Sequence, residues 1–345
     1  MATMEEAIAM LQQDMRDEHG AVILYLLHAY FMGEGEEAAE IEQVARDEMR
    51  HFKWLAQAIT QLGGVPTLDR TAMEVGGEVA AQWMRRDVQA EQDAIAQYER
   101  HRDAIADPRV KALLERILSD ERAHLGTFQS LQAKFSSQGG GPGLPAPADE
   151  STHAKAAPIL DYGTTHEYTV ILQYLFHSFL TPDAEVSREL ETVAINEMQH
   201  LGWLAEFAAS IGHKPLMAHD PVERKARTSQ MLQADLEAER AVTRRYNDYL
   251  AQLAQEPNLA GLVEVIERAR DNELFHSHIF GLMLSRLAEE EKPHQRPGVG
   301  PTQPLSEEDT AARLDGQGAG AANQTANSKQ ASSPRPSFTV GGLTS

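Results

Sequence analysis

The sequence predicts an all-α protein made of two tandem four-helix bundles with one long crossover each, followed by a disordered C-terminal tail. Two observations carry this prediction. Apolar residues recur every three or four positions in each repeat, which is the period of an amphipathic helix. The motif Glu-x-x-His also occurs at four matching places in two repeats, at Glu48–His51, Glu121–His124, Glu197–His200 and Glu273–His276.

The composition excludes several classes of site and partner. A chain of 345 residues is long enough for two domains of ordinary size. It contains no cysteine, so disulfides and thiolate metal sites are excluded. The formal net charge of −21 disfavours nucleic acid and anionic membranes as partners and attracts cations. The longest apolar run is too short for a membrane span, and the acidic N-terminus does not resemble a secretory signal, so we expect a cytoplasmic protein.

The first repeat, residues 1–136, contains four predicted helices. Helix one covers Glu5–Met32 and carries Glu18 within its apolar stripe. A carboxylate at that position must be paired or bound to metal, because burying an isolated charge is prohibitively costly. The other helices carry similar polar residues on their apolar faces: Glu48 and His51 on helix two, Glu91 on helix three, Glu121 and His124 on helix four.

The spacing of these carboxylates predicts the topology. Glu18 and Glu48 are 30 residues apart, and so are Glu91 and Glu121, which suits two antiparallel hairpins that meet at mid-height. The 43 residues between Glu48 and Glu91 leave room for a long connection between the hairpins. This is the pattern of a four-helix bundle with one crossover.

The second repeat, residues 157–292, follows a Gly/Pro-rich segment, 137–156, that we interpret as a flexible linker. Its helix three offers both Glu237 and Glu239, and alignment with the first repeat favours Glu239. Two further Glu-x-x-His matches are set aside because their Pro/Gly-rich surroundings place neither on a helix face: Glu150–His153 and Glu291–His294. The equivalent polar residues of the second repeat are Glu167, Glu197, His200, Glu239, Glu273 and His276.

Each repeat therefore offers four carboxylates and two imidazoles. Residues at positions i and i+3 lie on one helix face, so each Glu-x-x-His directs its two side chains towards the same point. Oxygen and nitrogen donors without sulfur suit iron or manganese. Glutamates from the two Glu-x-x-His helices are placed to bridge two metal ions, which could together give electrons to O₂ or peroxide. The alternative is a buried polar network without metal.

The chain resembles the ferritin-like superfamily, and within it the bacterioferritins. The resemblance covers residues 1–136 and 157–292 and depends on the segments around Glu18 and Glu167 and on the motifs 47–51 and 196–200. It implies a di-iron centre in each repeat. In the first, Glu18 and His51 would be terminal ligands of one iron, Glu91 and His124 of the other, with Glu48 and Glu121 bridging. In the second, the terminal ligands would be Glu167, His200, Glu239 and His276, with Glu197 and Glu273 bridging.

The resemblance also suggests two further pairs of functional residues. Tyr25 and Tyr174 resemble the tyrosine beside the ferroxidase centre, an electron donor, although ordinary core tyrosines would give the same pattern. Met49 and Met198 stand where bacterioferritin subunits ligate haem b across a two-fold axis. The alternative for these methionines is flexible filling of the space beside the metal helix.

The tail, residues 293–345, is rich in Pro, Gly, Ser and Gln, and we predict that it is disordered. Its last nine residues, 337–345, place Phe338, Val340 and Leu343 close together. They are similar to the targeting peptides of encapsulin cargo proteins, which implies a shell protein as partner. An incidental apolar tail is the alternative. Since the repeat is duplicated and lacks the fifth helix of bacterioferritins, we do not expect a self-assembled cage.

The expected function is therefore oxidation of Fe(II) with O₂ or peroxide, for iron storage or detoxification inside an encapsulin compartment. A di-metal oxygenase, or a catalase- or peroxidase-type enzyme acting on a small substrate, is one alternative, and a non-catalytic cargo or adaptor bundle is another.

Overall fold

The structure, a computed structural model, describes residues 2–290 and confirms the all-α prediction. Within this range the chain forms no β-strand, and one short 3₁₀ helix, Pro257–Leu259, precedes the last α-helix. The predicted tail and its last nine residues lie outside the described residues. The α-helices are α1 (Met4–Met32), α2 (Glu36–Gln61), α3 (Ala80–Ala104), α4 (Pro108–Ser137), α5 (Glu150–Leu180), α6 (Ala184–Ser210), α7 (Thr228–Leu253) and α8 (Ala260–Glu290).

The helices pack as four hairpins, α1 with α2, α3 with α4, α5 with α6 and α7 with α8. Two hairpins make each bundle, and the long connections 62–79 and 211–227 cross from one hairpin to the next. The predicted duplication and crossover are both present. Among the described helices, none carries an apolar segment long enough to cross a membrane.

A buried histidine fixes each crossover to its bundle. His28 of α1 is fully buried, and its Nδ1 lies 2.9 Å from Asp87 Oδ2 of α3. Its Nε2 lies 2.8 Å from the carbonyl oxygen of Val75, in the crossover itself. One imidazole thus connects two helices and the loop between the hairpins. The same arrangement recurs in the second bundle with His177, Asp235 and the carbonyl oxygen of Glu223.

The connection between the bundles differs from the predicted flexible linker. Helix α5 begins at Glu150, seven residues before the predicted start, because Asp149 accepts hydrogen bonds from the backbone N–H groups of residues 151 and 152 and so caps the helix. Glu150 and His153 therefore do lie on a helix. The preceding segment is also hydrogen-bonded to both bundles, at 2.8 Å from Ala80 N to Pro142 O and at 2.8 Å from Ala148 N to Ile211 O.

The two bundles pack against each other through α1, α2, α5 and α6, and the apolar core of the first bundle continues into side chains of α5 and α6, while the second bundle has two apolar clusters of its own. His19 Nε2 lies 2.5 Å from the hydroxyl of Tyr168, and these residues occupy equivalent positions in the two repeats. Such self-contact of equivalent positions is the mark of an approximate two-fold axis. Arg70, from the first crossover, donates to the Tyr168 hydroxyl at 3.2 Å and to the Met217 carbonyl oxygen at 2.6 Å. The described chain is therefore a pseudo-dimer within one polypeptide.

Candidate metal centres

The first bundle brings its six predicted ligands together at mid-height. They form two overlapping groups whose ligand atoms lie within 4.8 Å of one another. Glu48 and Glu121 belong to both groups, which is the arrangement that two bridged metal ions require. All six side chains are buried. The groups are Glu18, Glu48, His51 and Glu121, and Glu48, Glu91, Glu121 and His124.

The second bundle repeats this geometry. Glu197 and Glu273 are shared between its two groups, and ligand atoms again lie within 4.8 Å of one another. The register choice made from the sequence agrees, because Glu239 belongs to the cluster and is buried whereas Glu237 is exposed. The groups are Glu167, Glu197, His200 and Glu273, and Glu197, Glu239, Glu273 and His276.

Each cluster histidine directs Nδ1 towards the carboxylates and Nε2 away from them. In the first bundle, His51 Nδ1 lies 2.8 Å from Glu48 Oε2 and 3.0 Å from Glu121 Oε1. The outer nitrogens of His51 and His124 each lie 3.5 Å from a carboxylate oxygen, of Asp120 and Asp47 respectively. In the second bundle the residues in these outer positions are asparagines, Asn272 at 3.1 Å from His200 and Asn196 at 3.5 Å from His276.

In each bundle, two antiparallel helices each carry a buried tyrosine that donates to the terminal carboxylate of the other helix. Tyr25 of α1 donates to Glu91 Oε1 of α3 at 2.5 Å, and Tyr98 of α3 donates to Glu18 Oε1 of α1. Tyr25 was predicted as a site residue, whereas Tyr98 was not. The signal was present, since Tyr98 follows Glu91 by seven residues, as Tyr25 follows Glu18, and so shares its helix face. The second bundle has the same two bonds, from Tyr174 to Glu239 and from Tyr246 to Glu167.

The electrostatics of the first cluster follow from packing four carboxylates in a dry core. Burial raises the pKa of Glu18 well above its usual range, and the negative charges of Glu48 and Glu121 raise it further. Burial alone would lower the pKa of His124, but hydrogen bonds to Asp47 and Glu48 outweigh this and raise it to about 10. In the second cluster the pKa of His276 is raised to about 9, because contacts with Glu197 and Glu273 outweigh burial. Without a metal ion, protons must offset the carboxylate charge.

Unpartnered buried atoms fit a bound dication better than a closed polar network. A buried polar atom without a hydrogen bond is rare and costs about 1–3 kcal/mol. Among the described residues, several cluster atoms have no hydrogen bond of good geometry although they converge closely, such as His124 Nδ1, which lies 3.0 Å from Glu48 Oε1 in the first bundle. The same holds in the second bundle for Glu197 Oε1, Glu197 Oε2, His200 Nδ1, Glu239 Oε2 and Glu273 Oε1. Their oxygen and nitrogen donors suit iron or manganese.

The two methionines proposed for haem do not belong to the clusters. Met49 and Met198 are half-buried, and both pack against the apolar cluster that extends from the first bundle into α5 and α6. Haem ligation by these two methionines stays a prediction.

A cavity of about 300 Å³ reaches the first cluster from the side of α1, α3 and the crossover. Its lining includes the candidate ligands Glu18, Glu48 and Glu121 and two further aspartates, the buried Asp14 and the half-buried Asp17. Reasoning from the sequence did not identify these aspartates, because they are not repeated in the second bundle, where Gly163 and His166 stand in their places.

Comparison with known proteins assigns the fold to a family. The ferritin-like domain matches residues 8–137 and again residues 159–288, so each match coincides with one bundle. The chain belongs to the ferritin-like domain family. The bacterioferritin of Desulfovibrio desulfuricans is 29% identical over 130 residues, which is 34% of this chain and 73% of that protein.

Two solved structures are also similar to part of the chain. A structure of the D. desulfuricans bacterioferritin, which records its di-iron site in different catalytic states, is 28% identical with a TM-score of 0.38. The matched region covers 39% of this ferritin-like chain and 82% of the chain in that structure. The Rhodobacter capsulatus bacterioferritin, with a metal-free dinuclear site and a haem iron, is 24% identical with a TM-score of 0.38 and covers 40% of this chain and 89% of its own.

Proposed function

We propose that each bundle of this ferritin-like protein binds a pair of iron ions and oxidises Fe(II). The observation that carries this proposal is the sharing of Glu48 and Glu121 between two four-residue groups, repeated by Glu197 and Glu273. A mononuclear site would not need two overlapping groups. The membership of the ferritin-like family and the similarity to a bacterioferritin support iron as the metal.

The chemistry of the pair is a two-electron oxidation. Two Fe(II) become two Fe(III), and the two electrons with two protons reduce O₂ to hydrogen peroxide, or reduce one hydrogen peroxide to two waters. The protein's own groups hold the charge and the geometry. The four carboxylates offset the positive charge of the metals, and the hydroxyls of Tyr25 and Tyr98 orient the terminal carboxylates by donating to them. The outer aspartates orient the imidazoles.

A second candidate is a di-metal oxygenase or a peroxide-consuming enzyme that acts on a small substrate. The cavity favours it, because about 300 Å³ is at the lower end of the size of small-molecule sites. The carboxylates in its lining, however, suit a cation better than an apolar molecule. Iron oxidation is therefore the better-supported function, and Tyr25 and Tyr174 retain their proposed role as electron donors to the oxidant.

We further propose that the protein acts as cargo in a cytoplasmic encapsulin compartment, addressed by residues 337–345. The proposal depends on the sequence of this segment, which lies outside the described residues. Burial of its three large apolar side chains would contribute about 1.5–3 kcal/mol each before ordering costs. Deleting residues 337–345 should leave both metal centres intact and abolish co-purification with the shell protein. Continued packaging of the truncated chain would contradict the proposal.

We also propose haem binding by Met49 and Met198. It predicts a Soret band in the purified protein that is lost in Met49→Leu. A protein that stays colourless after reconstitution with excess haemin would rule it out.

The central experiment is metal analysis combined with an Fe(II) oxidation assay. We expect four iron ions per chain and rapid formation of Fe(III) in air, with O₂ or peroxide consumed in the stoichiometry given above. Manganese in place of iron, together with peroxide consumption in the absence of Fe(II), would favour the second candidate. A chain that binds no metal at neutral pH would overturn both and leave a non-catalytic cargo bundle.

A further inference from the structure

A groove of about 270 Å³ lies on the surface of the first bundle, between the end of α2 and the start of α4. Its charged lining residues are Arg109 and Arg116, and no carboxylate lines it within the described part of the chain. The chain as a whole has a formal net charge of −21, so the groove carries the sign opposite to that of the protein. Such a local excess of positive charge favours an anion and disfavours a metal ion.

Both arginines keep hydrogen-bond donors for a ligand. Arg109 pairs with Asp107 at 2.9 Å and Arg116 pairs with Asp120 at 3.3 Å, and neither aspartate lines the groove. A guanidinium has five N–H donors, so each ion pair occupies only some of them. The side chains of Arg109 and Arg116 are 74% and 61% exposed, which leaves them accessible to a ligand.

The lining between the two arginines is mainly apolar. Arg109 and Arg116 are seven residues apart, which is about 10 Å along the axis of α4. Val110 and Leu113 line the groove from the same helix, and the indole of Trp54 lines it from α2. Arginine binds a carboxylate with two parallel hydrogen bonds, and an indole packs well against a flat ring. The ligand that fits has an apolar body with an acidic group at each end.

The volume of the groove limits the size of this ligand. About 270 Å³ is below the usual range of sites for drug-sized molecules. A nucleotide or a flavin is therefore too large to be enclosed, whereas a single ring with two acidic groups is not. The exposed amides of Gln57 and Gln61 complete the polar part of the lining and can donate to a carboxylate.

The second bundle fills the equivalent space with its own side chains. Phe207 replaces Ala58 of the groove lining, and Gly261 replaces Arg109. A Cβ added at Gly261 would lie only 3.1 Å from Phe207 Cε2, so the phenyl ring packs directly against this position. The second bundle therefore lacks both the first guanidinium and the space beside it.

The other arginine of the groove is also placed differently in the second bundle. Arg268, the equivalent of Arg116, places its guanidinium carbon 3.8 Å from the ring centroid of Trp203, the equivalent of Trp54. This cation–π contact covers the indole face that a ligand would need. In the first bundle Arg116 pairs with Asp120 instead, and the Trp54 indole lines the groove. The open arrangement thus belongs to the first bundle.

We propose that this groove binds a small organic dianion, with one acidic group on Arg109, the other on Arg116 and the apolar body against Trp54. The ligand class is a flat dicarboxylate of the size of one aromatic ring. The proposal is independent of iron oxidation, because the groove contains none of the candidate metal ligands.

The binding test titrates terephthalate into the full chain and measures the heat by calorimetry. Terephthalate has one carboxylate at each end of a ring and cannot chelate one metal ion with both. We expect one equivalent per chain, and Arg109→Gln/Arg116→Gln should lower the affinity about a hundredfold, about tenfold for each charge-assisted contact. Arg268→Gln, the matched control in the second bundle, should bind as the parent does.

Two outcomes of this titration overturn the proposal. One is a parent chain that binds no terephthalate, and the other is a double variant that binds it as tightly as the parent. The uncharged analogue terephthalamide has the same shape and should not bind. If it binds as tightly as terephthalate, the groove does not recognise an anion and the proposal is wrong.

Two variants copy the second bundle into the groove. Ala58→Phe copies Phe207 and should abolish terephthalate binding by filling the space, with circular dichroism as the check on folding. Gln57→Glu copies Glu206, keeps the size of an exposed side chain and should weaken binding about tenfold at low ionic strength, because it places a negative charge in the lining. Gln89→Glu, which adds the same charge on the exposed face of α3, is the matched control. Equal affinities of Gln57→Glu and Gln89→Glu would overturn the proposal.

Discussion

The two bundles of this chain hold the same six candidate ligands in the same geometry but surround them differently. In both bundles, the shared glutamates, the imidazoles and the tyrosines that donate to the terminal carboxylates occupy equivalent positions. Behind the imidazoles, however, the first bundle has Asp47 and Asp120 where the second has Asn196 and Asn272. On the side of the cavity, the first bundle has aspartates where the second has a glycine and a histidine.

The difference shows which parts of the site the chemistry constrains. A change of a cluster residue would remove a ligand of the proposed metal pair, whereas a change behind the imidazoles alters the charge around the cluster and leaves its six donors in place. An aspartate behind an imidazole raises its basicity and adds negative charge, and an asparagine only orients the ring. The first cluster therefore has more negative charge around its ligands than the second.

The largest expected effect comes from removing a shared ligand. Glu48→Ala should abolish fast Fe(II) oxidation in the first bundle and leave the second active, because a bridge holds both metal ions. Glu197→Ala should do the reverse, and the double variant should retain neither activity. Stopped-flow oxidation with iron analysis measures this. The comparison fails if the double variant keeps the metal content and the rate of the parent.

Exchanging the residues behind the imidazoles should make the metal affinity of each bundle more like that of the other. In a Glu197→Ala background, Asp47→Asn/Asp120→Asn should weaken metal binding about tenfold, the lower end of the effect of such second-layer residues. In a Glu48→Ala background, Asn196→Asp/Asn272→Asp should strengthen it. Competition with a chelator measures both affinities. Equal affinities in parent and variants would show that the outer charge has no influence.

Variants of the two tyrosines distinguish a role in hydrogen bonding from a role in electron donation. Tyr25→Phe and Tyr98→Phe each leave a buried carboxylate oxygen without its donor, so each should destabilise the metal-free protein by about 1–3 kcal/mol. If Tyr25 donates an electron, a tyrosyl radical detected by electron paramagnetic resonance during oxidation should disappear in Tyr25→Phe and persist in Tyr98→Phe. Its persistence in Tyr25→Phe would leave Tyr25 as an orienting residue only.

The smallest effect concerns the protonation of the metal-free clusters. The pKa of His124 is raised to about 10 and that of His276 to about 9. Since both values lie above the usual value of about 6.5, the stability that each imidazolium contributes is complete below that pH. It is lost as the pH rises through about 9 for His276 and about 10 for His124. Histidine NMR of the metal-free chain should show His276 titrating first, and Asn196→Asp should raise its midpoint.

The helices and the ligand faces could be predicted from the sequence because they depend on local periodicity. Each Glu-x-x-His lies on one turn of helix, so two ligands share a face whatever the helix packs against. The equal spacing of Glu18 to Glu48 and of Glu91 to Glu121 sets two hairpins of matched length. The repeat then removed the ambiguity between Glu237 and Glu239. The structure places all twelve predicted ligands in two clusters.

Contacts between helices were decided only by the tertiary structure. Which carboxylate each tyrosine binds depends on the axial shift of α1 against α3, which no local pattern specifies. The groove beside Arg109 and Arg116 and the contact of Arg268 with Trp203 depend on the neighbours that packing supplies. The early start of α5 depends on a single cap at Asp149, within a segment whose composition is typical of a loop.

The sequence by itself determined the fold class, the duplication and the set of candidate ligands. A polar residue within the apolar stripe of a helix can be recognised from the pattern of that helix alone. The tertiary structure alone decided how the two bundles pack, which groups stand behind the candidate ligands and that an acidic cavity lies beside the first cluster. These properties arise from residues distant in the chain, whose side chains become neighbours only when four helices close around a common core.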